Sequence, residues 1–135
     1  MKDLFITYEL SKLMSELSFD ENCIGYYDNQ KRFDLSDPIN NSTYSLCKGF
    51  YSAPTWEQSI NWLMDKHQIF IDIGTDCTSY PKFAYSVNKF VGNPKDLTEK
   101  EWYWEHSIMP IDWFIYKTRN EALEEAIKFS LTLIK

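Results

Sequence analysis

Glycine is scarce in this 135-residue chain, at 4 residues, and none stands in a Gly-rich loop that could cradle phosphates. No nucleophile elbow and no nuclease-like carboxylate–lysine signature is present. Histidine is limited to 2 residues, His67 and His106, too isolated for a pair of metal ligands at helical spacing. The 3 cysteines, Cys23, Cys47 and Cys77, show neither a CxxC spacing nor an even count, which speaks against a disulfide framework or a zinc knuckle and for buried thiols in a reducing cytoplasm. No apolar run reaches 18 residues and the opening MKDLFITYEL lacks a signal-peptide core, so membrane spanning and secretion are not expected. Positive charge is also short. The net charge of −6 works against sequence-independent nucleic-acid binding, which depends on Lys and Arg at the phosphates, and favours a basic partner.

Aromatic residues are plentiful: 5 Trp, 9 Tyr and 9 Phe, more than a core of this size requires. Some rings are therefore expected at a surface, where Trp and Tyr combine apolar area with a polar tip. Length alone predicts one domain, residues 1–135.

The clearest architectural signal is APTWEQSINWLMDKHQIFIDI, residues 53–73. Pro54 turns Ala53 away from helical angles, and Thr55 with Gln58 forms a capping box. Trp56, Ile60, Leu63, Met64 and His67 then fall on one stripe of a helix. After Gln68 the period drops to two, with Ile69, Ile71 and Ile73 on one side and Phe70 and Asp72 on the other, so a strand begins there and the helix is expected to lie across its sheet.

Upstream, Thr7 caps a helix whose inward residues are Leu10, Leu13, Met14 and Leu17. A strand is expected from Cys23 to Tyr27, with Gly25 at a bulge or a close approach of another backbone, and a second from Tyr44 to Phe50. Between them the polar stretch 28–43 reads as a loop with room for a short pairing segment near Phe33 and Leu35. Downstream, GTDCTSYP turns the chain into a strand over Lys82 to Phe90, making an antiparallel hairpin. Thr98 with Glu101 caps a short helix, Ile111 to Tyr116 is a strand, and Thr118 with Glu121 caps a last helix. That helix turns Ala122, Leu123, Ala126, Ile127, Ser130, Leu133 and Ile134 inward. The expectation is an α+β fold of order α-β-β-α-β-β-(α)-β-α. One antiparallel sheet of about five strands would be covered mainly on one face by three helices.

The segments TYELSKLMSELSF, CIGYY, APTWEQSINWLMDKH with IFIDI, and YKTRNEALEEAIKFSLTLI together resemble a family of small proteins encoded in phages and prophage-like elements of gut bacteria. The likeness covers most of the chain. It departs at Ser18, where the family usually has glycine, at Asn22, where proline is frequent, and around Trp102 to His106, where the family's segment is shorter. The family has no assigned activity, so the resemblance implies a fold and an accessory role for a mobile element, with no catalytic residue, cofactor or metal ligand to transfer.

Candidate chemistry is thin. His67, near Asp65 and Asp72 in sequence, suits proton transfer, but a histidine in the last turn of a helix is commonly structural. Cys77 would need His67 or His106 nearby to act as a nucleophile, and its neighbour Asp76 works against thiolate formation. Asp65, Asp72 and Asp76 together offer a hard-cation site, against which stands the ordinary solvated carboxylate. The most unusual string is KEWYWEH, where Trp102, Tyr103 and Trp104 cannot all face inward. It reads as a lid over the sheet, a protein-binding patch or a platform for single-stranded bases. The function expected is binding: a protein partner, basic or itself a nucleic-acid-binding host protein, or a second copy of the chain. A small enzyme with a Cys or carboxylate centre is the competing class.

Overall fold

The structure is a computed structural model that describes residues 2–76, 82–91, 103–108 and 116–134. The chain is α+β, and its strands form two antiparallel sheets of three strands each rather than one sheet of about five. It divides into two compact units, Met1–Ser59 and Ile60–Lys135.

In the first unit, α1 (Tyr8–Glu16) is followed by β1 (Cys23–Tyr27), β2 (Phe33–Ile39) and β3 (Tyr51–Ala53), with the strands in the order β2-β1-β3. Thr7 is the N-cap of α1, its hydroxyl accepting the Leu10 N–H at 3.4 Å. The buried stripe is Leu10, Ser11 and Met14, while Leu13 is exposed, a rotation of the expected face. The helix stops at a left-handed Ser18, φ 69°, with Phe19 N–H returning to the Met14 carbonyl at 2.9 Å and Ser18 N–H to that of Ser15 at 3.2 Å. These two bonds and the burial of both Met14 and Phe19 make a Schellman ending at a position that glycine usually fills.

β1 has the expected bounds. Its inward residues are Cys23, Gly25 and Tyr27. Gly25 stands at the expected irregularity, since the pairing with β2 shifts between Cys23 and Gly25; what approaches it closely is side chain rather than backbone, a Cβ there lying 2.8 Å from the Phe5 ring and 2.9 Å from that of Phe33. β2 includes the short pairing segment expected near Phe33 and Leu35, which lie opposite Tyr27 and Gly25, and extends to Ile39 through residues expected in a loop. An edge strand tolerates Asp34, Asp37 and Pro38 because half of its backbone groups face away from the ladder. The β1–β2 hairpin closes on Asp28, whose carboxylate accepts the Gln30 and Arg32 N–H groups at 2.8 and 2.9 Å. The expected strand from Tyr44 to Phe50 is instead a 3-10 turn, Thr43–Leu46, with its continuation, and the strand begins only at Tyr51.

α2 (Trp56–His67) starts at Thr55, whose hydroxyl accepts the Gln58 N–H at 3.1 Å. The Gln58 side chain does not complete a capping box. It donates to the Asn22 carbonyl at 3.1 Å and to the Glu21 carboxylate at 3.4 Å, tying the helix start to the chain entering β1. The residues α2 buries are Trp56, Ser59, Trp62 and Leu63, while Met64 is exposed. Ser59 can go inside because its hydroxyl bonds back to the Thr55 carbonyl at 2.9 Å.

The break at Gln68 is as expected: helix to His67, a left-handed Gln68 at φ 52°, strand from Ile69. In the second unit β4 (Ile69–Asp76), β5 (Lys82–Val91) and β6 (Tyr103–Ile108) form a sheet in chain order, and α3 (Arg119–Thr132) closes the sequence. Phe70 and Asp72 are exposed as the alternation required, while of the isoleucines on the other side Ile69 is fully buried and Ile71 and Ile73 only half-buried. The main helix on β4 and β5 is α3 rather than α2. Thr118 caps α3 by accepting the Glu121 N–H at 3.1 Å, and the Glu121 carboxylate accepts the Lys117 N–H at 3.1 Å, one residue before the usual capping-box partner. Ala122, Leu123, Ala126, Ile127, Ser130 and Leu131 are buried on its inner stripe, where each full-sized aliphatic contributes about 1.5–3 kcal/mol relative to exposure. β6 is a strand within the segment read as a lid, a protein-binding patch or a stacking platform. Of the expected strand at Ile111 to Tyr116 only Tyr116 is described, in an antiparallel bridge with Phe83. The expected turn around Cys77 and the Thr98–Glu101 helix lie outside the described residues.

Candidate functional site

Alternation along β1 sends Tyr27 inward, where it lies edge-on to Tyr8 of α1 at 5.7 Å between centroids, and sends Tyr26 to the other face. Directly opposite Tyr26 are Asp34 on β2 and Ser52 on β3. The chain leaving β2 then doubles back over this outward face. Asn41 anchors it, donating to the Phe19 carbonyl at 2.8 Å and accepting the Ser52 N–H at 2.9 Å, and Asp20 holds the Ser42 N–H at 2.8 Å. The Asp20 carboxyl is held below its usual range, chiefly by the Ser42 hydroxyl and then by that N–H.

This return brings three rings together. The Tyr26 and Tyr44 centroids are 6.0 Å apart, Tyr26 and Phe50 6.3 Å at 19°, and Tyr44 and Phe50 6.0 Å at 23°. All three are partly exposed, and Ile24, two residues before Tyr26, is 46% exposed. Burial raises the Tyr44 phenol above its ordinary range, a bond from Ser36 pulling the other way. At the rim Asp34 is exposed, its carboxylate accepting the adjacent Leu35 N–H at 2.8 Å, and it forms no ion pair among the described residues. The result is a partly open aromatic surface with an uncompensated carboxylate beside it.

The comparisons add no relative to this picture. No family model, no curated protein and no solved structure matches the chain.

The residues singled out in the sequence do not assemble elsewhere. His67 meets the Trp62 ring edge-on at 4.6 Å, and burial, then the Lys89 ammonium, lowers its pKa; the carboxylates of Asp65 and Asp72 are not what acts on it. Lys89 itself reaches the Leu133 carbonyl near the end of α3 at 3.1 Å. Asp65 and Asp72 are exposed, and no three His, Cys, Asp or Glu residues cluster among the described residues; the Asp76 side chain is outside them. Cys77 and Trp102 lie outside the described residues. Tyr103, Trp104 and His106 are placed as backbone in β6, opposite Val91, Phe90 and Lys89, and their side chains lie outside the description. Of the thiols described, Cys23 is buried and pushed up to about 12, mainly by burial, which makes it inert as a nucleophile, and Cys47 is exposed. No helix of the described residues is long and apolar enough to cross a membrane.

Tyr26, Tyr44, Phe50 and Asp34 were not singled out in the sequence. Alternation in CIGYY puts Tyr26 and Tyr27 on opposite faces without saying which is outward, and no local pattern links Tyr26 to the residues 18 and 24 positions later.

Proposed function

We propose that this chain is a non-enzymatic binding protein, an accessory of a phage or mobile element that acts through protein–protein contacts or self-association. The observation that carries the reading is the Tyr26–Tyr44–Phe50 cluster, three partly exposed rings gathered on the outward face of a sheet. Tyrosine-rich surfaces of this type give large contact area at small entropic cost and serve as anchors in interfaces. The resemblance to phage-borne proteins, carried by the segments quoted above, supports the accessory role. A second contact through Trp102, Tyr103 and Trp104 belongs to the same reading.

The competing classes have less to rest on. The cysteine singled out for an enzyme, Cys77, lies outside the described residues, and the buried Cys23, its thiol pushed up to about 12, offers no substitute. Stacking of single-stranded bases suits the rings but not the charge, −6 overall with Asp34 beside Tyr26. Light scattering of the purified chain, combined with capture of partners from host lysate, tests the proposal. Self-association or a retained stoichiometric partner supports it; a monomer that retains nothing while turning over a substrate refutes it.

A further inference from the structure

The outward face of the β2-β1-β3 sheet places two demands on whatever covers it. Its rings call for an apolar or planar group. Asp34, the cross-strand neighbour of Tyr26, calls for a cation, since the positions are directly paired and side chains at such positions lie within contact distance. A purely apolar partner would strip water from a carboxylate that has no counter-ion among the described residues, and burial of an unpaired charge is strongly unfavourable. A phosphate backbone would be repelled. Residues 1–59 hold five Lys and Arg against nine Asp and Glu, a net charge of −4, so the field around the unit favours a positive partner at long range. Strand addition at the edge is disfavoured, because β2 carries Asp37 and Pro38 and its pairing is irregular, leaving the face as the docking element.

Guanidinium meets both demands at once. It is planar, it stacks on aromatic faces, and its fork of N–H groups matches a carboxylate, whereas an ammonium is a strongly hydrated point charge. The exposed Ile24 gives the aliphatic stem of such a side chain an apolar neighbour. We infer that the Tyr26–Tyr44–Phe50 face receives an arginine side chain from a basic segment of a protein partner, with the guanidinium on the rings and bonded to Asp34. This rests on the proposed binding function and gives it a surface and a partner chemistry.

Calorimetric titration of the full chain with a synthetic peptide of alternating arginine and glycine, and with its lysine counterpart, tests the inference at low salt. The arginine peptide is expected to bind about tenfold more tightly than the lysine peptide, and Asp34→Asn and Tyr44→Leu each to weaken it about tenfold or more. Glu16→Gln is the charge-matched control. Glu16 is an exposed residue of α1, and α1 packs through Tyr8 on the inward Tyr27, so the affinity is expected to stay unchanged. Asp34 is exposed, so Asp34→Asn should melt as the parent does, separating lost binding from lost folding. Equal weakening by Asp34→Asn and Glu16→Gln would mean diffuse charge attraction and would overturn the site. So would a wild-type chain that ignores both peptides. In either case lysate capture shows what survives: a partner still held by Asp34→Asn keeps the binding function and moves its surface elsewhere, and a chain with neither partner nor self-association loses both.

Discussion

The phenol of Tyr27 donates a 2.8 Å hydrogen bond to the backbone carbonyl of Ile6, joining the middle strand of the first sheet to the segment that leads into α1. Both residues are buried, so the bond is made away from water and Tyr27→Phe leaves the carbonyl one partner short. A loss of about 1–2 kcal/mol in urea unfolding is expected. Burial also raises the Tyr27 pKa. The unfolded phenol ionises first, near its ordinary value of about 10, so this contribution is intact below that pH and is lost as pH rises through the folded pKa. Unfolding curves from pH 9 to 11 should show falling stability, less steeply in Tyr27→Phe.

His67 gives the opposite slope. Its pKa is lowered in the folded chain by burial and Lys89, so the unfolded state takes up a proton first as the solution is acidified. Stability associated with His67 is present above the ordinary histidine pKa of about 6.5 and declines as pH falls through that value toward the folded one. Unfolding at pH 5.5 and 7.5 should differ in the parent and differ less in His67→Gln.

Ser18 sits at φ 69° in the place where glycine ends helices most easily. Ser18→Gly is expected to stabilise the chain by about 0.5–1 kcal/mol, the relief of left-handed strain outweighing the added freedom of the unfolded chain. A higher thermal midpoint is the readout.

Gly25 has no room for a side chain. The Phe5 ring that a Cβ would meet at 2.8 Å is itself buried, and its backbone is held by an isolated antiparallel bridge to Thr55. Gly25→Ala is expected to cost about 1–3 kcal/mol, read as a lower urea midpoint with an unchanged slope.

Ser11 is fully buried on the inner face of α1, and its hydroxyl has no hydrogen-bond partner among the described residues. Removing an unsatisfied buried hydroxyl is favourable, so Ser11→Ala should raise stability by about 1 kcal/mol, with helix propensity acting in the same direction.

Elements whose signals are local were legible in the sequence. Thr7, Thr55 and Thr118 cap their helices as expected, the change of period at Gln68 marks a helix–strand boundary, and Ala122, Leu123, Ala126, Ile127 and Ser130 are buried on α3. What depended on pairing was not. Of β2 only the pairing near Phe33 and Leu35 was legible; Asp34, Ser36, Asp37 and Pro38 read as a loop because only an edge position makes them compatible with a strand. Tyr44 to Phe50 looked like a strand by its apolar content, yet Tyr44 and Phe50 are spent on covering Tyr26. Periodicity places a residue on a face but does not say which strands share a sheet, so one sheet was expected where there are two. The same limit hid the candidate site. Composition implies surplus rings, and the contiguous Trp102–Trp104 is where they stand out locally, while the cluster in the first unit is assembled from three separated positions.

The most direct measurement is amide chemical-shift mapping of the isotope-labelled full chain during titration with the arginine–glycine peptide. Shift changes concentrated at Tyr26, Asp34, Tyr44 and Phe50, and abolished by Asp34→Asn, are the predicted result. Changes confined to β6, or spread evenly over every acidic surface, would contradict it.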